Sequence, residues 1–256
     1  SFGLMVILGF GAGLWLATRL ARRRGLPGDA FLDAAVVILF AGVIGARLLF
    51  VGLNWSEYSR NILEVTALWR GGMSFHGGVI AGVLAGAWYL RRHRLPVAAM
   101  ADAAAPGLAL GYAIGRIGCF LNGCCYGGPT NLPWGVHFPV QGADPAALYH
   151  PAQIYATVIC LGLAGLLTAC YLRPHRVGQV MALYVCGYSV YRFLIESLRK
   201  GVTAEVFALG LTEAQAFSLL TLALGAAWWG WLQRHAAPAP PLHSDTKDPA
   251  PAVTGA

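Results

Sequence analysis

Long runs of apolar residues, separated by short polar or basic stretches, dominate the hydrophobic pattern of the chain. Each run is about as long as a helix that crosses a bilayer, because roughly 20 residues span the hydrocarbon core. No internal repeat is evident. The pattern predicts an all-α integral membrane protein, a bundle of seven transmembrane helices at about residues 2–19, 30–53, 73–90, 97–118, 151–172, 178–198 and 207–232.

Basic residues in the short loops predict which way this bundle faces. Arginines follow the first, third, fifth and seventh runs, and loops rich in Lys and Arg stay on the cytoplasmic side. We therefore expect the N-terminus outside and the C-terminus in the cytoplasm. The stretch 119–150 contains no Lys or Arg, as expected of an outer loop. The arginines used are Arg22, Arg23, Arg24, Arg91, Arg92, Arg94, Arg173, Arg176 and Arg234.

The predicted organisation is a single membrane domain, residues 1–235, with outer loops at 54–72 and 119–150. The first apolar run lacks a small-residue cleavage site after it, so we expect a retained span and no signal peptide. Residues 236–256 are rich in Pro and Ala, and we expect them to form a disordered cytoplasmic tail.

The composition supports a membrane protein. Hydrophobic residues make up 57% of the chain and charged residues 11%, whereas a soluble domain carries about a quarter charged residues. The formal net charge of +7 raises nucleic-acid binding as an alternative. Most of the basic residues lie in the short loops, where membrane topology accounts for them, so no nucleic-acid partner is expected.

Three arginines lie inside the predicted spans. Arg47, Arg116 and Arg192 each come late in a span that runs outward, which places them in the outer third of the membrane. An arginine at the centre of a transmembrane helix costs about 2.5–3.5 kcal/mol on insertion scales, so each needs a partner or a polar cavity. Arg199 and Lys200 end the sixth span, where they are substrate contacts or side chains that reach to the headgroups.

Few acidic residues are available at this depth to neutralise these cations. Glu196 lies one turn from Arg192, whereas Asp102 lies near the opposite end of its span from Arg116. Converging cations with few acids form a site for an anion. In the outer leaflet the abundant anion is a lipid phosphate.

Residues 71–78, GGMSFHGG, surround a histidine with glycines. Glycine permits close helix packing or close approach of the backbone to a ligand. His76 has two open interpretations: a base for proton transfer near neutral pH, or a hydrogen-bonding residue in a helix interface.

Residues 115–128, GRIGCFLNGCCYGG, end the fourth span. Their glycines predict an irregular turn, which membranes tolerate where it lines a cavity or is buried. Asn122 can donate to a phosphate oxygen or cap the helix. Cys119, Cys124 and Cys125 are small apolar fillers, a disulfide pair or part of a metal site. Because no CxxC pair or second Cys/His cluster stands nearby, we favour the first two and expect no metal or cofactor.

Two later stretches add polar groups near the predicted outer face. YHPAQIY, residues 149–155, opens the fifth span, where Gln153 lines the face or caps the helix. In YRFLIESLRK, residues 191–200, Arg192, Glu196 and Arg199 fall at i, i+4 and i+7. This spacing predicts one polar stripe that faces the bundle interior.

These stretches, in this order, resemble the prolipoprotein diacylglyceryl transferase family, and Asp102 lies fourteen residues before Arg116 as in that family. The resemblance implies transfer of the diacylglyceryl group of phosphatidylglycerol to the lipobox cysteine thiol of a prolipoprotein, with release of glycerol phosphate. It also implies a multi-pass protein of the bacterial inner membrane, with membrane lipids around it and a site toward the periplasmic leaflet.

Matching the family's motifs residue by residue predicts His76, Arg116 and Arg192 as catalytic. Among the residues that we predict to bind substrate, three fall on family motif positions and three follow from their place in the spans; together they are Arg47, Asn122, Gly127, Gln153, Glu196 and Arg199. This chain departs from the family at Phe2, where many members have Tyr, at Cys119, where many have Asn, and at Cys124, where many have Glu. No role of that glutamate is transferred.

The mechanistic hypothesis is that Arg116 and Arg192 hold the lipid phosphate while a thiolate attacks the glyceryl carbon, with His76 as base or headgroup anchor. Three alternatives use the same residues: an anion transporter, a membrane redox or metal protein, and a phospholipid-binding relative without catalysis. A transporter would more often show inverted repeats and broken helices near the membrane midplane.

Overall fold

The computed structural model describes residues 2–59, 62–67, 71–138, 144, 146–199, 204–208 and 210–243. Within them the chain forms eight α-helices, one 3₁₀ helix and a small antiparallel hairpin. The α-helices are α1 (Phe2–Arg23), α2 (Ala30–Leu53), α3 (Trp55–Tyr58), α4 (Phe75–Arg92), α5 (Val97–Leu121), α6 (Ala152–Tyr171), α7 (Gln179–Ser197) and α8 (Glu213–His235). The 3₁₀ helix is Ile62–Thr66, and the strands are β1 (Val206–Ala208) and β2 (Leu211–Thr212).

The prediction of an all-α membrane protein is confirmed at this level. In the described residues, α1, α2, α5 and α6 are long and apolar enough to cross a membrane. The helices α4, α7 and α8 overlap the other three predicted spans. The count of seven spans and the orientation of the termini stay predictions.

Large apolar side chains cover much of the helix surface. Ile7 of α1 is 70% exposed and Phe40 of α2 is 65% exposed, and many other Leu, Val and Trp side chains are similarly open. Soluble monomers rarely expose contiguous apolar surface of this kind. The helices therefore present a surface suited to lipid.

The last helix begins later than the sequence pattern predicted. The apolar run was expected to be helical from residue 207, but β1 and β2 occupy its first residues. Thr212 then starts α8 with a capping box: its side chain accepts from the Gln215 backbone N–H at 3.2 Å, and Gln215 Oε1 accepts from the Thr212 N–H at 3.3 Å. This local signal outweighs the apolar content of the preceding residues.

The chain divides into two compact units. Unit 1 contains the described residues up to Leu26 together with those from Ala98 onward, and so holds α1 and α5 to α8. Unit 2 is Pro27–Val97 and holds α2, α3, the 3₁₀ helix and α4.

Glycines bring α1 and α5 into direct backbone contact within unit 1. A Cβ atom on Gly107 would lie 2.3 Å from the Gly13 carbonyl oxygen, and one on Gly9 would lie 2.6 Å from the Gly111 carbonyl oxygen. Gly9 and Gly13 are four residues apart, as are Gly107 and Gly111. This spacing of small residues is typical of closely packed membrane helices.

In unit 2, glycines likewise bring α2 and α4 into close backbone contact. A Cβ atom on Gly45 would lie 2.7 Å from the Gly77 carbonyl oxygen and 2.2 Å from the Ala81 Cβ atom. The Ser74 N–H donates to the Ala46 carbonyl at 2.9 Å, which fixes the start of α4 against α2. Gly77 and Gly78, which follow His76, therefore serve helix packing.

At one end of unit 1, Asp102 caps the N-terminus of α7. Its carboxylate is 1% exposed and accepts from the Gly178 N–H at 2.6 Å and the Met181 N–H at 2.8 Å. The His175 ring lies 3.7 Å from the same carboxylate, and burial lowers the pKa of His175. Arg24 is also buried here and donates to the Tyr171 and Arg173 carbonyls.

Residues 236–243 cross this same end and form hydrogen bonds there, while the disordered tail predicted for residues 236–256 stays a prediction. The Val177 N–H donates to the Ala237 carbonyl at 2.9 Å, and the His243 N–H donates to the Arg23 carbonyl at 2.7 Å. Arg24 donates to the Pro240 carbonyl. These backbone bonds hold the Pro/Ala-rich segment in spite of its composition. Residues 244–256 lie outside the described residues.

We expect Asp102→Ala to lower the free energy of unfolding by about 2–4 kcal/mol, because it leaves two helix N–H groups without an acceptor and removes the negative charge that attracts the buried Arg24. Thermal denaturation of the protein in detergent would measure this. Asp102→Asn keeps one acceptor oxygen and should lose less. An unchanged midpoint for Asp102→Ala would contradict the capping role.

Candidate functional site

The opposite end of unit 1, where α5 ends, α6 begins and α7 ends, is called the site end here. The loop after α5 passes between the other two helices. The Gly127 N–H donates to the His150 carbonyl at 2.9 Å, and the Gly128 N–H donates to the Leu198 carbonyl. Gln153 is fully buried and donates through Nε2 to the Cys124 carbonyl at 2.6 Å. These bonds fix the loop against α6 and α7.

Gly127 and Gln153, both predicted to bind substrate, therefore take part in holding the loop. A Cβ atom on Gly127 would lie 2.9 Å from the His150 Cβ and 3.0 Å from the Leu198 carbonyl oxygen, so only glycine fits without displacement. The Gln153 Oε1 atom is buried and has no hydrogen-bond partner among the described residues. It remains an acceptor that a bound molecule can use.

Arg116 lies in the last turns of α5 and is buried. Among the described residues, no carboxylate forms an ion pair with it, and its Nε atom has no hydrogen-bond partner. Its guanidinium carbon stands 5.7 Å from the centre of the Tyr112 ring, and its Nη1 atom lies 4.0 Å from the Cys119 sulfur. A buried cation with unused donors is suited to an anionic ligand.

Aromatic side chains of α5 and α7 form one wall beside Arg116. The Tyr112 hydroxyl lies 3.1 Å from the Tyr191 hydroxyl, and the rings of Tyr112 and Tyr188 meet edge to face with centres 5.4 Å apart. This wall excludes water from one side of the guanidinium. Exclusion of water strengthens the attraction between that charge and an anion.

Arg192 and Glu196 in the last turns of α7, and Arg199 just beyond the helix, form the predicted polar stripe. The Glu196 Oε2 atom accepts from Arg192 Nη1 and, at 3.3 Å, from Arg199 Nη1. One carboxylate thus serves two guanidinium groups, which leaves this stripe with a net positive charge. The Arg192 side chain is 25% exposed while Glu196 is buried, so Arg192 retains open surface for a ligand.

The three cysteines of the loop come together next to Arg116. Their sulfur atoms all lie within 4.8 Å of one another. Cys125 has φ of +64°, a left-handed conformation that is unfavourable for a residue with a side chain. A hydrogen bond from the Cys119 thiol, and after it the positive charges of Arg116 and Arg199, lower the pKa of Cys125 below the usual value of a thiol.

Two further residues, Asn122 and Phe2, lie at the site end. Asn122, just beyond α5, is exposed, and its side chain has no hydrogen bond to a described residue. Phe2 of α1 lies beside the last turns of α5, because a Cβ atom on Gly118 would be 3.3 Å from Phe2 Cδ2. The residue that replaces the family's tyrosine is thus close in the fold to the helix turn that carries Arg116. Lys200 lies outside the described residues.

The two remaining predicted residues belong to unit 2. Arg47 is buried and donates to the carbonyls of Glu64, Val65, Gly71 and Gly72 at 2.5–2.9 Å. Four of its N–H groups are thus used by the loop after α2, which favours a role in holding this loop over direct contact with substrate. His76 is exposed in the first turn of α4.

We expect Glu196→Ala to lower the free energy of unfolding by about 2–4 kcal/mol, because it leaves two partly buried arginines facing each other. Glu196→Gln keeps an acceptor and should lose less. Thermal denaturation in detergent would measure both, with Glu213→Ala as the control. Glu213 is exposed in the first turn of α8, so its loss should cost about 1 kcal/mol or less. Equal midpoints for Glu196→Ala and Glu213→Ala would contradict this arrangement.

Comparison with known proteins gives consistent matches along most of the chain. A family model described as prolipoprotein diacylglyceryl transferase matches residues 1–231. A phosphatidylglycerol–prolipoprotein diacylglyceryl transferase of Thermosynechococcus vestitus is 36% identical over 236 residues, which cover 90% of this chain and 86% of the relative. Relatives with the same name from Gloeobacter violaceus (37% identity, 92% and 89% covered) and Geobacillus kaustophilus (35% identity, 89% and 86% covered) are similarly close.

Proposed function

The chain belongs to the prolipoprotein diacylglyceryl transferase family, and from this premise we propose that it transfers the diacylglyceryl group of phosphatidylglycerol to the lipobox cysteine of prolipoproteins. The names of the relatives supply the lipid donor and the protein acceptor. Four apolar helices are long enough to cross a membrane, which is where both substrates are found.

The observation that carries this proposal is the environment of Arg116. A guanidinium that is buried near the end of an apolar helix, and that has no carboxylate partner among the described residues, needs an anion. The phosphate of phosphatidylglycerol meets this need. The Arg116 fork can donate two parallel hydrogen bonds to two phosphate oxygens, which fixes the phosphate in position.

The chemistry follows from where charge develops. The cysteine thiolate attacks the glyceryl carbon, the carbon–oxygen bond to the phosphate breaks, and glycerol phosphate departs with an added negative charge. Arg116 stabilises that charge because its donors are already in place before reaction. Arg192 adds a second positive charge, and Glu196 holds its side chain in position.

We place the site end toward the periplasmic leaflet of the bacterial inner membrane. The opposite end carries Arg22 in the last turn of α1 and Arg173 just after α6, and basic residues at helix ends are retained on the cytoplasmic side. The lipobox cysteine of a secreted precursor reaches the periplasmic side, so both substrates meet at the site end. His76 stays the proposed base or headgroup anchor.

The direct test uses the purified protein in detergent with phosphatidylglycerol and a lipobox peptide. We expect release of glycerol phosphate, together with a peptide whose mass increases by one diacylglyceryl group. A peptide with serine in place of the lipobox cysteine should remain unmodified. Lipid that stays bound without any turnover would contradict transferase activity and indicate a phospholipid-binding relative.

A further inference from the structure

We propose that Cys119, Cys124 and Cys125 form a three-thiolate site for Zn²⁺, and that the open fourth position of this metal binds the lipobox cysteine of the substrate as a thiolate. The metal-site half of this inference rests on the residues of the chain alone. The substrate half rests on the proposed transferase function. The sequence pattern favoured packing or a disulfide over a metal, and the geometry of the folded loop changes that preference.

The three cysteine sulfur atoms are close enough together to bind one zinc ion. All three Sγ atoms lie within 4.8 Å of one another. Zinc bound by three thiolates at about 2.3 Å in tetrahedral geometry requires sulfur–sulfur distances of about 3.8 Å. Each sulfur therefore needs to move by less than about 1 Å to reach these distances.

The backbone around the sulfurs is held in an uncommon conformation. Gly123 and Cys125 both have positive φ, +69° and +64°, so the backbone adopts the left-handed conformation twice within three residues. For a cysteine this left-handed conformation is unfavourable. The Gln153 side chain fixes the Cys124 carbonyl at 2.6 Å between the two turns. The result is that two loop thiols face Cys119 on α5.

The charges near the cluster favour three thiolates. Zn²⁺ with three thiolates has a net charge of −1, and Arg116 Nη1 lies 4.0 Å from the Cys119 sulfur. The Arg116 Nε atom remains without a partner among the described residues. One guanidinium can thus contact the metal-bound thiolates and the lipid phosphate together, which would hold the nucleophile and the leaving group close to each other.

The three thiols are also partly open, which a catalytic metal requires. Each has intermediate exposure. A structural zinc site is closed by four protein ligands, whereas a catalytic site has three and keeps the fourth position for water or substrate. Among the described residues the cluster offers three such ligands and no fourth.

The reaction requires the substrate cysteine as a thiolate, and binding at the fourth position of the zinc would provide it. A free cysteine has a pKa of about 8.5, so only a few per cent is thiolate near pH 7. A thiol that binds a metal is deprotonated outright. The substrate thiol would replace a water on zinc and release its proton to solvent.

The transfer step then balances without any redox change. The sulfur lone pair forms the bond to the glyceryl carbon, and the electrons of the broken carbon–oxygen bond leave with the phosphate. The thioether product is a weak ligand, so water returns to the zinc. Zinc suits this role because it has no redox chemistry.

The first experiment measures bound zinc in the full chain, purified under reducing conditions without chelator. We expect about one zinc per chain in the wild type and in Cys170→Ser, whose cysteine lies in α6 away from the cluster. Cys119→Ser, Cys124→Ser and Cys125→Ser should each lose most of it. Wild-type protein with three titratable loop thiols and no zinc after addition of Zn²⁺, or with a disulfide that survives reductant, would overturn the proposal.

The second experiment tests the fourth position with Co²⁺ in place of zinc. The sulfur-to-cobalt absorption of tetrahedral Co²⁺ should increase when the lipobox peptide is added, by about one further thiolate. A peptide with serine in place of cysteine should leave the spectrum unchanged. An unchanged spectrum with the cysteine peptide, at concentrations where the peptide binds, would overturn the substrate half of the proposal.

Transferase assays separate this inference from the proposed function. Full transfer by zinc-free protein would contradict the inference and leave the function intact. Zinc and peptide binding without release of glycerol phosphate would support the metal site and contradict the function. If both are correct, removal of zinc should reduce transfer by about 10²-fold or more at pH 7, with a smaller loss at pH 9, where the free thiol ionises without metal.

Discussion

Replacing Arg116 with alanine should reduce diacylglyceryl transfer by about 10²–10³-fold while the protein remains folded. The loss follows from the removal of a donor that is in place where negative charge develops on the departing phosphate. The same assay that follows glycerol phosphate and peptide mass would measure it. Arg116→Lys keeps the charge but loses the two-pronged geometry, so its rate should lie between the wild type and Arg116→Ala.

Arg116→Ala tests the phosphate contact without the complication of unfolding, because Arg116 contributes little to the stability of the protein. It has no carboxylate partner among the described residues, so alanine leaves no buried countercharge behind. Its removal also relieves the desolvation of a buried cation. We therefore expect the thermal midpoint of Arg116→Ala to equal or exceed that of the wild type. Most salt-bridged arginines would behave in the opposite way.

Arg234→Ala is the matched control, because Arg234 is an exposed arginine in the last turn of α8. Its loss should leave transfer within about twofold of the wild type. Full transfer by a folded Arg116→Ala protein would contradict the proposed contact with phosphate. Loss of transfer together with loss of folding would contradict the view that Arg116 is dispensable for stability.

The positions of the long helices could be predicted from the sequence because apolar runs of this length have few alternatives in a chain of such composition. The predicted span 30–53 has the same bounds as α2, and 151–172 differs from α6 by one residue at each end. The start of α8 could also have been read, since Thr212 and Gln215 have the spacing of a capping box. A prediction based on hydropathy alone does not detect a capping box.

The predicted site residues of unit 1 could be grouped because each lies at a helix end that the topology brings to one face. Arg116, Gln153 and Arg192 all lie at or near the site end, as their places in the chain indicated. What each side chain contacts could not be predicted. Gln153 holds the Cys124 carbonyl, and that bond depends on a loop turn set by two positive φ angles.

The cysteine cluster was beyond prediction for the same reason. Cys119 and Cys124 are five residues apart, a spacing that places two side chains on different faces of a continuous helix. They meet only because α5 ends at Leu121 and the chain turns back at Gly123. Pattern rules for metal sites look for pairs such as CxxC and so give little weight to this arrangement. The hydrogen bonds of residues 236–243 likewise depend on partners far away in the chain.

The largest effect on stability should come from Gly107→Val, which we expect to lower the free energy of unfolding by about 3 kcal/mol or more. A Cβ atom at this position would lie 2.3 Å from the Gly13 carbonyl oxygen. Because the clash is with backbone, no change of rotamer relieves it, and α1 must move away from α5. Thermal denaturation in detergent would measure the loss, and Gly107→Ala should already show a substantial part of it.

Gly115→Ala is the matched control on the same helix, because nothing lies within 4 Å of a Cβ atom there. It should change the free energy of unfolding by about 1 kcal/mol or less, in the stabilising direction, since alanine favours helix over glycine. The comparison separates the contact between α1 and α5 from the general effect of replacing a helical glycine. Similar midpoints for Gly107→Val and Gly115→Ala would mean that α1 and α5 do not meet through their glycines. Because α5 also carries Arg116 nine residues after Gly107, displacement of this helix should reduce transfer as well.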